Sequence, residues 1–96
     1  MEASVYILFS EKLNKFYIGY TTKNINGRIE EHNSVEFENS WTSKGIPWQL
    51  LFEINCKSVN QAIKIERHIK RMKSIKYIKD IRKYPEIINR LKEKYK

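Results

Sequence analysis

The chain has 96 residues, of which 19 are Lys or Arg and 11 are Asp or Glu, so its formal net charge at pH 7 is +8. This length allows one modest core and excludes two, so we expect a single domain over residues 1–96 with a basic helical part over about 75–96. The lone cysteine excludes an intramolecular disulfide framework, and no apolar run of about 18 residues or secretory leader is present, so we expect a cytoplasmic protein.

The positive charge lies in one half of the chain. Residues 57–96 hold 14 Lys and Arg against 4 Asp and Glu, a net charge of +10, whereas residues 1–56 hold 5 against 7, a net charge of −2. A basic surface concentrates polyanions around it and speeds their association. Nucleic acid is therefore the first partner to consider, and a role of the lysines in solubility alone is the alternative.

The first two elements read as a β-hairpin. The segments SVYILFS (residues 4–10) and KFYIGYT (residues 15–21) are rich in the aromatic and β-branched residues that favour strands, and EKLN between them supplies turn residues. The hairpin contains three tyrosines, Tyr6, Tyr17 and Tyr20. Gly19 in the second strand indicates either a strand bulge or the close approach of a neighbouring element.

A short helix, a loop and a third strand follow. Thr22 or Asn24 could cap the helix, and Gly27 inside it suggests that another group comes close. Residues 34–47 lack clear periodicity and read as a loop, whereas WQLLFEI (residues 48–54) reads as a strand. We expect Trp48 to pack in the core and the lone Cys56 to act as a small apolar residue near the strand end.

From Ser58 onward the pattern is helical, and Pro85 fits the first turn of a last helix. On the helix over residues 58–74, Glu66 falls at about 40° within an apolar arc that runs from about 280° to about 100°. A core-facing carboxylate is costly unless it is paired, protonated or bound to a cation. A buried ion pair with an arginine is the alternative to a functional role.

Arg28 and His32 are four residues apart and so share one face of the short helix. Taken alone, this spacing is common among surface residues. Set beside tyrosines on two paired strands and an inward carboxylate on a later helix, however, the two side chains could belong to one cleft.

The order of these motifs resembles the GIY-YIG nuclease superfamily. The first signature is SVYIL, with Ser4 where the name-giving glycine would stand, and the second is an intact Tyr17-Ile18-Gly19. RIEEH from Arg28, PWQLLF from Pro47 and AIKIERHIK from Ala62 continue the resemblance in order. The chain is most similar to small single-domain members related to the catalytic module of the excision-repair incision subunit.

The resemblance implies an α+β fold, a three-stranded antiparallel sheet flanked by helices, with a metal-dependent phosphodiesterase site. It implies that Tyr6 and Tyr17 lie at the attacking water, one of them as general base, with Tyr17 preferred and Tyr6 left open. It further implies that Arg28 holds the phosphate, that Glu66 binds a single Mg²⁺ or Mn²⁺, and that His32 contacts the phosphate or assists proton transfer.

The implied function is a divalent-metal-dependent DNA endonuclease, structure-selective or weakly sequence-specific, that acts in DNA repair or processing and leaves a 5′-phosphate and a 3′-hydroxyl. RNA remains open as a substrate. Basic, hydroxyl and aromatic groups could contact the nucleic acid: Lys15, Lys23, Trp41, Thr42, Ser43, Lys44, Lys70 and Lys73.

Two other functions stay open. Tyr20 stands where several relatives have a lysine, and an Asn that other relatives carry after the metal-binding Glu has no counterpart here. These departures favour an inactive nucleic-acid-binding module. The third possibility is a basic adaptor that binds an acidic protein.

Overall fold

Three strands form one antiparallel sheet in which β1 is central. A computed structural model describes residues 3–22, 25–33 and 44–96, apart from the side chains of residues 31 and 32. The strands are β1 (Ala3–Ser10), β2 (Lys15–Thr21) and β3 (Gln49–Cys56), in the order β2-β1-β3. The hairpin and the third strand predicted from the sequence are confirmed, and β1 is almost wholly buried because it is paired on both sides.

Four helices complete the described fold: α1 (Ile25–His32), α2 (Val59–Met72), α3 (Ile75–Lys83) and α4 (Pro85–Lys94). The hydroxyls of Ser58 and Ser74 accept hydrogen bonds from the backbone N–H groups of Gln61 and Tyr77, which satisfies donors in the first turns of α2 and α3. Pro85 lies in the first turn of α4, as predicted. The α+β class is therefore confirmed.

The two faces of the sheet bury different clusters. Val5 and Ile7 point to the face covered by the carboxyl-terminal helices, where they pack with Ala62, Ile65 and Ile69 of α2. On the opposite face Tyr6 and Leu8 pack with Trp48, Tyr17 and residues of α1. Because side chains alternate along a strand, β1 divides its residues between the general core and a smaller aromatic cluster.

A polar cluster joins α2, α3 and α4. The two ring nitrogens of His68 each lie 3.0 Å from a tyrosine hydroxyl, Nδ1 from Tyr95 and Nε2 from Tyr77. Arg71 also donates to the Tyr95 hydroxyl, at 3.3 Å. Burial, assisted by the charges of Lys94 and Arg71, lowers the pKa of His68. The neutral ring is therefore favoured, and it can donate to one tyrosine while accepting from the other.

The structure tests the expectations for Gly19 and Gly27. Gly19 pairs regularly with Tyr6, and the described irregularity of the sheet lies instead between β1 and β3, next to Ile7 and Leu8. The close-approach interpretation of Gly19 is thus confirmed. The corresponding expectation for Gly27 is wrong for the described residues, because a Cβ at that position would have no neighbour within 4 Å.

Trp48 and Cys56 are each 2% exposed, in agreement with the core positions expected for them. Among the described helices, none has both the length and the apolar character needed to cross a membrane.

Candidate active site

Tyr6 is held at the base of the site by Arg28 and Gly19. Its side chain is 1% exposed, and its hydroxyl accepts a hydrogen bond of 3.0 Å from Nε of Arg28. A Cβ at position 19 would lie only 2.5 Å from the same hydroxyl. Glycine is therefore required where β2 passes the end of the Tyr6 ring. This contact connects the central strand, the edge strand and α1.

Tyr17 lies beside Tyr6 on the neighbouring strand. The two rings are stacked with centroids 6.3 Å apart and planes at 20°. The edge of Trp48 supports Tyr17, with a centroid distance of 6.1 Å. Unlike Tyr6, Tyr17 is only partly buried. The two tyrosines thus share one aromatic cluster but differ in their access to solvent.

The charges around Tyr6 define the electrostatics of the site. Burial raises the pKa of the Tyr6 phenol, and the hydrogen bond and charge of Arg28 oppose that shift. Negative charge on Tyr17 or Glu66 raises the same pKa further. Four predicted site residues therefore interact electrostatically around one phenol, although they come from β1, β2, α1 and α2. The neutral form of Tyr6 is the favoured one.

Glu66 lies at the border of the buried face of α2. The buried residues of this helix are Gln61, Ala62, Ile65 and Ile69, while Val59 and Met72 of the predicted apolar arc are exposed. The buried face is therefore rotated away from Glu66, whose side chain remains 13% exposed. Its ion-pair partner is Lys70, at 3.5 Å and 52% exposed, rather than the arginine considered from the sequence.

A cleft opens next to Arg28. It has a volume of about 360 Å³ and is lined by Arg28, Val59 and three consecutive residues at the end of β2, Tyr20, Thr21 and Thr22. The guanidinium group can therefore meet an anion in a space that also contains hydroxyl groups and the exposed edge of Tyr20. These are groups that commonly contact phosphates and sugars in nucleic acids.

Asn33 was missed in the sequence, although it fixes the end of α1. Its side-chain amide donates to the carbonyl oxygen of Trp48 at 3.1 Å and accepts from the Trp48 N–H at 2.6 Å. Gly45 leaves room for this tryptophan, since a Cβ there would lie 2.6 Å from the indole ring. Asn33 thereby connects α1, which carries Arg28, to the start of β3. Its only sequence signal is its position directly after the Arg-x-x-x-His spacing.

The predicted nucleic-acid contacts fall into three groups. Lys15 and Lys44 meet at a cleft of about 460 Å³ that Leu13 and Phe16 also line. Lys70 and Lys73 are exposed at the carboxyl-terminal end of α2. The remaining contacts lie outside the described residues: Lys23, Trp41, Thr42, Ser43 and the side chain of His32.

The described residues offer a metal ion one carboxylate rather than a cage. No group of three or more His, Cys, Asp or Glu side chains is gathered among them. The Glu66 side chain borders the site and is mostly buried, and its lysine partner is exposed and 3.5 Å away, so its oxygens can exchange that partner for a cation. A single carboxylate fits a hard ion that takes its other ligands from water and from phosphate oxygens.

Comparison with known proteins identifies the family of the chain. A family model described as the GIY-YIG catalytic domain matches residues 2–78, which is most of the chain and includes Tyr6, Tyr17, Arg28 and Glu66. No curated protein and no solved structure gave a significant match. The chain belongs to the GIY-YIG nuclease superfamily.

Proposed function

We propose that this protein is a divalent-metal-dependent DNA endonuclease that hydrolyses phosphodiester bonds. The observation that carries the proposal is the constellation around Tyr6, in which Arg28 donates to its hydroxyl and Tyr17 and Glu66 interact with it electrostatically. Family membership supports a nuclease with a nucleic-acid substrate. The roles of individual residues follow from their positions in the site.

Tyr17 is the general base in this proposal. Hydrolysis requires a group that removes a proton from the attacking water. The raised pKa of Tyr6 disfavours its phenolate, and its burial keeps it away from water. Tyr17 is more exposed and lies in the same ring stack, so it is the better acceptor for the proton. Tyr6 then acts as a positioning residue that orients Arg28.

Arg28 binds the scissile phosphate. A guanidinium group remains charged and can donate to two phosphate oxygens at once. Its Nε is anchored on Tyr6, and its side chain lines the cleft beside Tyr20 and Thr21. Because this hydrogen bond already restricts the Arg28 side chain, less conformational entropy is lost when phosphate binds. The positive charge also stabilises the extra negative charge that develops on phosphorus.

Glu66 holds the metal ion, for which Mg²⁺ or Mn²⁺ fits a lone carboxylate best. When bound, the ion neutralises phosphate charge and stabilises the leaving oxygen as an anion. The carboxylate comes from α2 and interacts electrostatically with Tyr6 of β1. Its lysine partner is exposed and 3.5 Å away, so a divalent cation can take the place of that lysine at the carboxylate.

The substrate is DNA that is selected by its structure, or with weak sequence preference, during repair or processing. The positive charge resides largely in exposed lysines, which contact the backbone rather than base edges. Such contacts supply affinity without sequence information. We place this activity in the cytoplasm.

The first test is a cleavage assay on labelled duplex, flapped, branched and single-stranded DNA, with Mg²⁺, with Mn²⁺ and with EDTA. We expect cleavage that requires metal and that falls by about 100-fold or more in Glu66→Gln and Arg28→Ala. Matched controls are Glu93→Gln and Arg90→Ala, which alter exposed residues of α4. Circular dichroism checks that each variant is folded.

Two outcomes would contradict the proposal. Cleavage that survives in Glu66→Gln would remove the metal role of this carboxylate. Absence of cleavage on every substrate, together with retained salt-sensitive binding, would instead support an inactive binding module, and Tyr20 in the cleft would be the first residue to exchange for lysine.

A further inference from the structure

A second groove lies between the sheet and α3, away from the Tyr6 site. We call it the α3 groove; its volume is about 640 Å³. Its floor is apolar, and its rim is cationic, formed by three exposed side chains of α3. The floor consists of Phe9, Phe16, Leu51 and Ile75, and the rim of Lys79, Arg82 and Lys83, with Asn14 at one end.

The rim belongs to one face of α3. Ile75, Lys79, Arg82 and Lys83 are separated by four, seven and eight residues from the first, which is the spacing of a single helical face. The ion pair of this helix, between Lys76 and Asp80, lies at the border of this face, about 20° and about 60° from Lys83 around the helix axis. Within the described part of the chain, no carboxylate pairs with the three rim cations. The Lys83 ammonium lies 5.4 Å from the centroid of the Tyr84 ring, and all three rim side chains are exposed to solvent, where an external anion can reach them.

The floor combines exposed apolar surface with an aromatic pair. The rings of Phe9 and Phe16 have centroids 5.1 Å apart. Ile75 is 56% exposed and adds accessible apolar surface to the floor. Leu51 is the residue that the register between β1 and β3 skips, since Ile7 pairs with Phe52 and Leu8 with Leu50. This irregularity lets β3 contribute an extra side chain to the groove.

Phe16 connects this groove with a second cationic surface. The cleft that contains Lys15 and Lys44 is also lined by Phe16. An aromatic residue of the edge strand thus has lysines on one side and the α3 rim on the other. Such an alternation of aromatic and cationic groups suits a chain that alternates flat apolar rings with negative charges.

We propose that the α3 groove binds an unpaired DNA strand, with one or more bases stacked on Phe9 and Phe16 and phosphates on the α3 rim. The identity of the strand rests on the proposed function, because the chemistry of the groove alone specifies an anionic chain with flat apolar groups. Bases in a duplex are stacked on each other and cannot enter such a groove. Flapped and branched substrates supply the unpaired strand.

The groove and the two tyrosines of the proposed active site lie on opposite faces of the sheet, whereas Glu66 comes from α2, which packs on the same face as the groove. Tyr6 and Phe9 are three residues apart on β1, so their side chains point to opposite sides and their Cα atoms are about 10 Å apart along the strand. β2 is an edge strand, and it carries both Phe16 and Tyr17. A DNA strand that passes around the β2 edge of the sheet can contact the active site and the groove at once. The groove therefore selects substrates with an unpaired strand next to the cleavage site.

The test measures DNA binding by fluorescence anisotropy in EDTA, with Glu66→Gln as the parent protein so that no cleavage can occur. The probes are a labelled oligothymidine, a flapped duplex and a blunt duplex. The rim variant carries Lys79→Gln, Arg82→Gln and Lys83→Gln. Its matched control carries Lys57→Gln, Arg90→Gln and Lys92→Gln, which remove the same number of charges from residues of the basic half that do not line the groove.

We expect the rim variant to bind oligothymidine and flapped duplex at least about 10-fold more weakly, with a salt slope that is smaller by about 2. The control variant should lose less than about 3-fold. Phe16→Leu keeps apolar volume but removes the aromatic face, so it should weaken binding to the unpaired strand by about 5- to 100-fold and leave the blunt duplex unchanged.

Equal losses of DNA affinity in the rim and control variants would overturn the inference, because they would show that affinity depends on the net charge of the protein and not on the position of the charges. Unchanged oligothymidine binding in Phe16→Leu would do the same. If an acidic amphipathic peptide bound to the α3 groove and oligothymidine could not displace it, the groove would be a protein-docking site instead. Photocross-linking of a 5-iodouracil oligonucleotide locates the strand directly, and cross-links confined to regions other than residues 9–16 and 75–83 would also overturn it.

This design separates the two proposals. If the rim variant and Phe16→Leu bound DNA as well as their parent while the wild-type protein still cleaved DNA, the groove proposal would be wrong and the nuclease proposal would stand. Groove-dependent binding in a wild-type protein that cleaves nothing would remove the nuclease and leave the groove.

Discussion

Two tyrosines of the same cluster have different environments, and this difference supports the separate roles that we propose for them. Tyr6 is enclosed between Arg28 and Gly19, whereas Tyr17 lies partly open on the edge strand. Both were expected from the resemblance to lie at the attacking water, with Tyr17 preferred as the base and Tyr6 left open. The separation follows from burial, which depends on how α1 and Trp48 cover the sheet and so could not be predicted from the local sequence.

Replacing each tyrosine by phenylalanine tests this assignment. Tyr17→Phe removes the proposed base and should lower the single-turnover cleavage rate by about 100- to 10,000-fold. Tyr6→Phe removes one hydrogen bond from the charged Arg28, worth about 1.5 kcal/mol, so the loss should be nearer 10-fold. Equal rates for the two variants would contradict the division of roles.

Two glycines provide a matched pair for a stability measurement. Gly19→Ala forces a Cβ against the Tyr6 hydroxyl, at 2.5 Å, and should lower the free energy of unfolding by about 1 to 3 kcal/mol. Gly27→Ala meets open space on α1 and should raise that free energy by up to about 1 kcal/mol. Urea denaturation of both variants measures the contrast, which would be absent if the hydroxyl could move aside freely.

At the level of elements, the sequence predicted the hairpin, the third strand and the helical carboxyl-terminal half because their periodicities are clear. The prediction of the buried face of α2 was wrong, because long-range contacts determine which of its residues are buried. Gln61 is buried because its amide accepts from the Lys57 N–H and donates to the Lys92 carbonyl oxygen, and this rotates the buried face of α2 away from Val59. The same rotation places Glu66 at a border, which the helical wheel alone put inside the arc.

The bond between Asn33 and Trp48 joins α1 to β3, so its loss should affect the whole smaller cluster. Asn33→Ala leaves the Trp48 N–H and carbonyl oxygen without this partner and should lower the free energy of unfolding by about 1 to 3 kcal/mol. Asn60→Ala, at an exposed position of α2, is the control and should not destabilise. Similar unfolding curves for wild type and Asn33→Ala would show that the bond contributes little.

The His68 cluster makes the packing of the last three helices sensitive to acid. Its folded-state pKa is lowered, mainly by burial, so protonation favours the unfolded chain. The stabilisation is complete above the unfolded pKa of about 6.5 and is lost as the pH falls through the folded value. Urea titrations in EDTA should show this loss between pH 7 and pH 5 in wild type and a smaller loss in His68→Gln. Identical pH profiles would contradict it.

For the whole molecule, charge and catalytic groups are divided differently along the chain. The basic half supplies α2, α3 and α4, whereas Tyr6, Tyr17 and Arg28 come from the half with a net charge of −2. Only Glu66 comes from the basic half. The sequence therefore predicted a nucleic-acid partner from one half and a reaction from the other, while the α3 groove depends on contact between the two and had no local signal.

Electrostatic binding by the basic half predicts a strong salt dependence. If the protein makes about six phosphate contacts, its affinity for duplex DNA should fall by about 1,000-fold between about 50 and 200 mM salt. Lys70→Gln with Lys73→Gln should reduce the slope by about 2, whereas Lys94→Gln with Lys96→Gln should change it less. Anisotropy titrations over this salt range measure both slopes, and a flat dependence would favour the acidic-protein adaptor.

The central position of β1 also has a consequence for the order of folding. Tyr6 pairs with Gly19 across 13 residues and with Glu53 across 47, so closing the second loop costs about 1 kcal/mol more entropy. The hairpin that carries both tyrosines can thus form as a local unit, whereas Glu66 joins it only after β3 and α2 have docked. A growing chain would hold its proposed base long before its metal ligand, and it would acquire the ability to cut DNA only when folding is nearly complete.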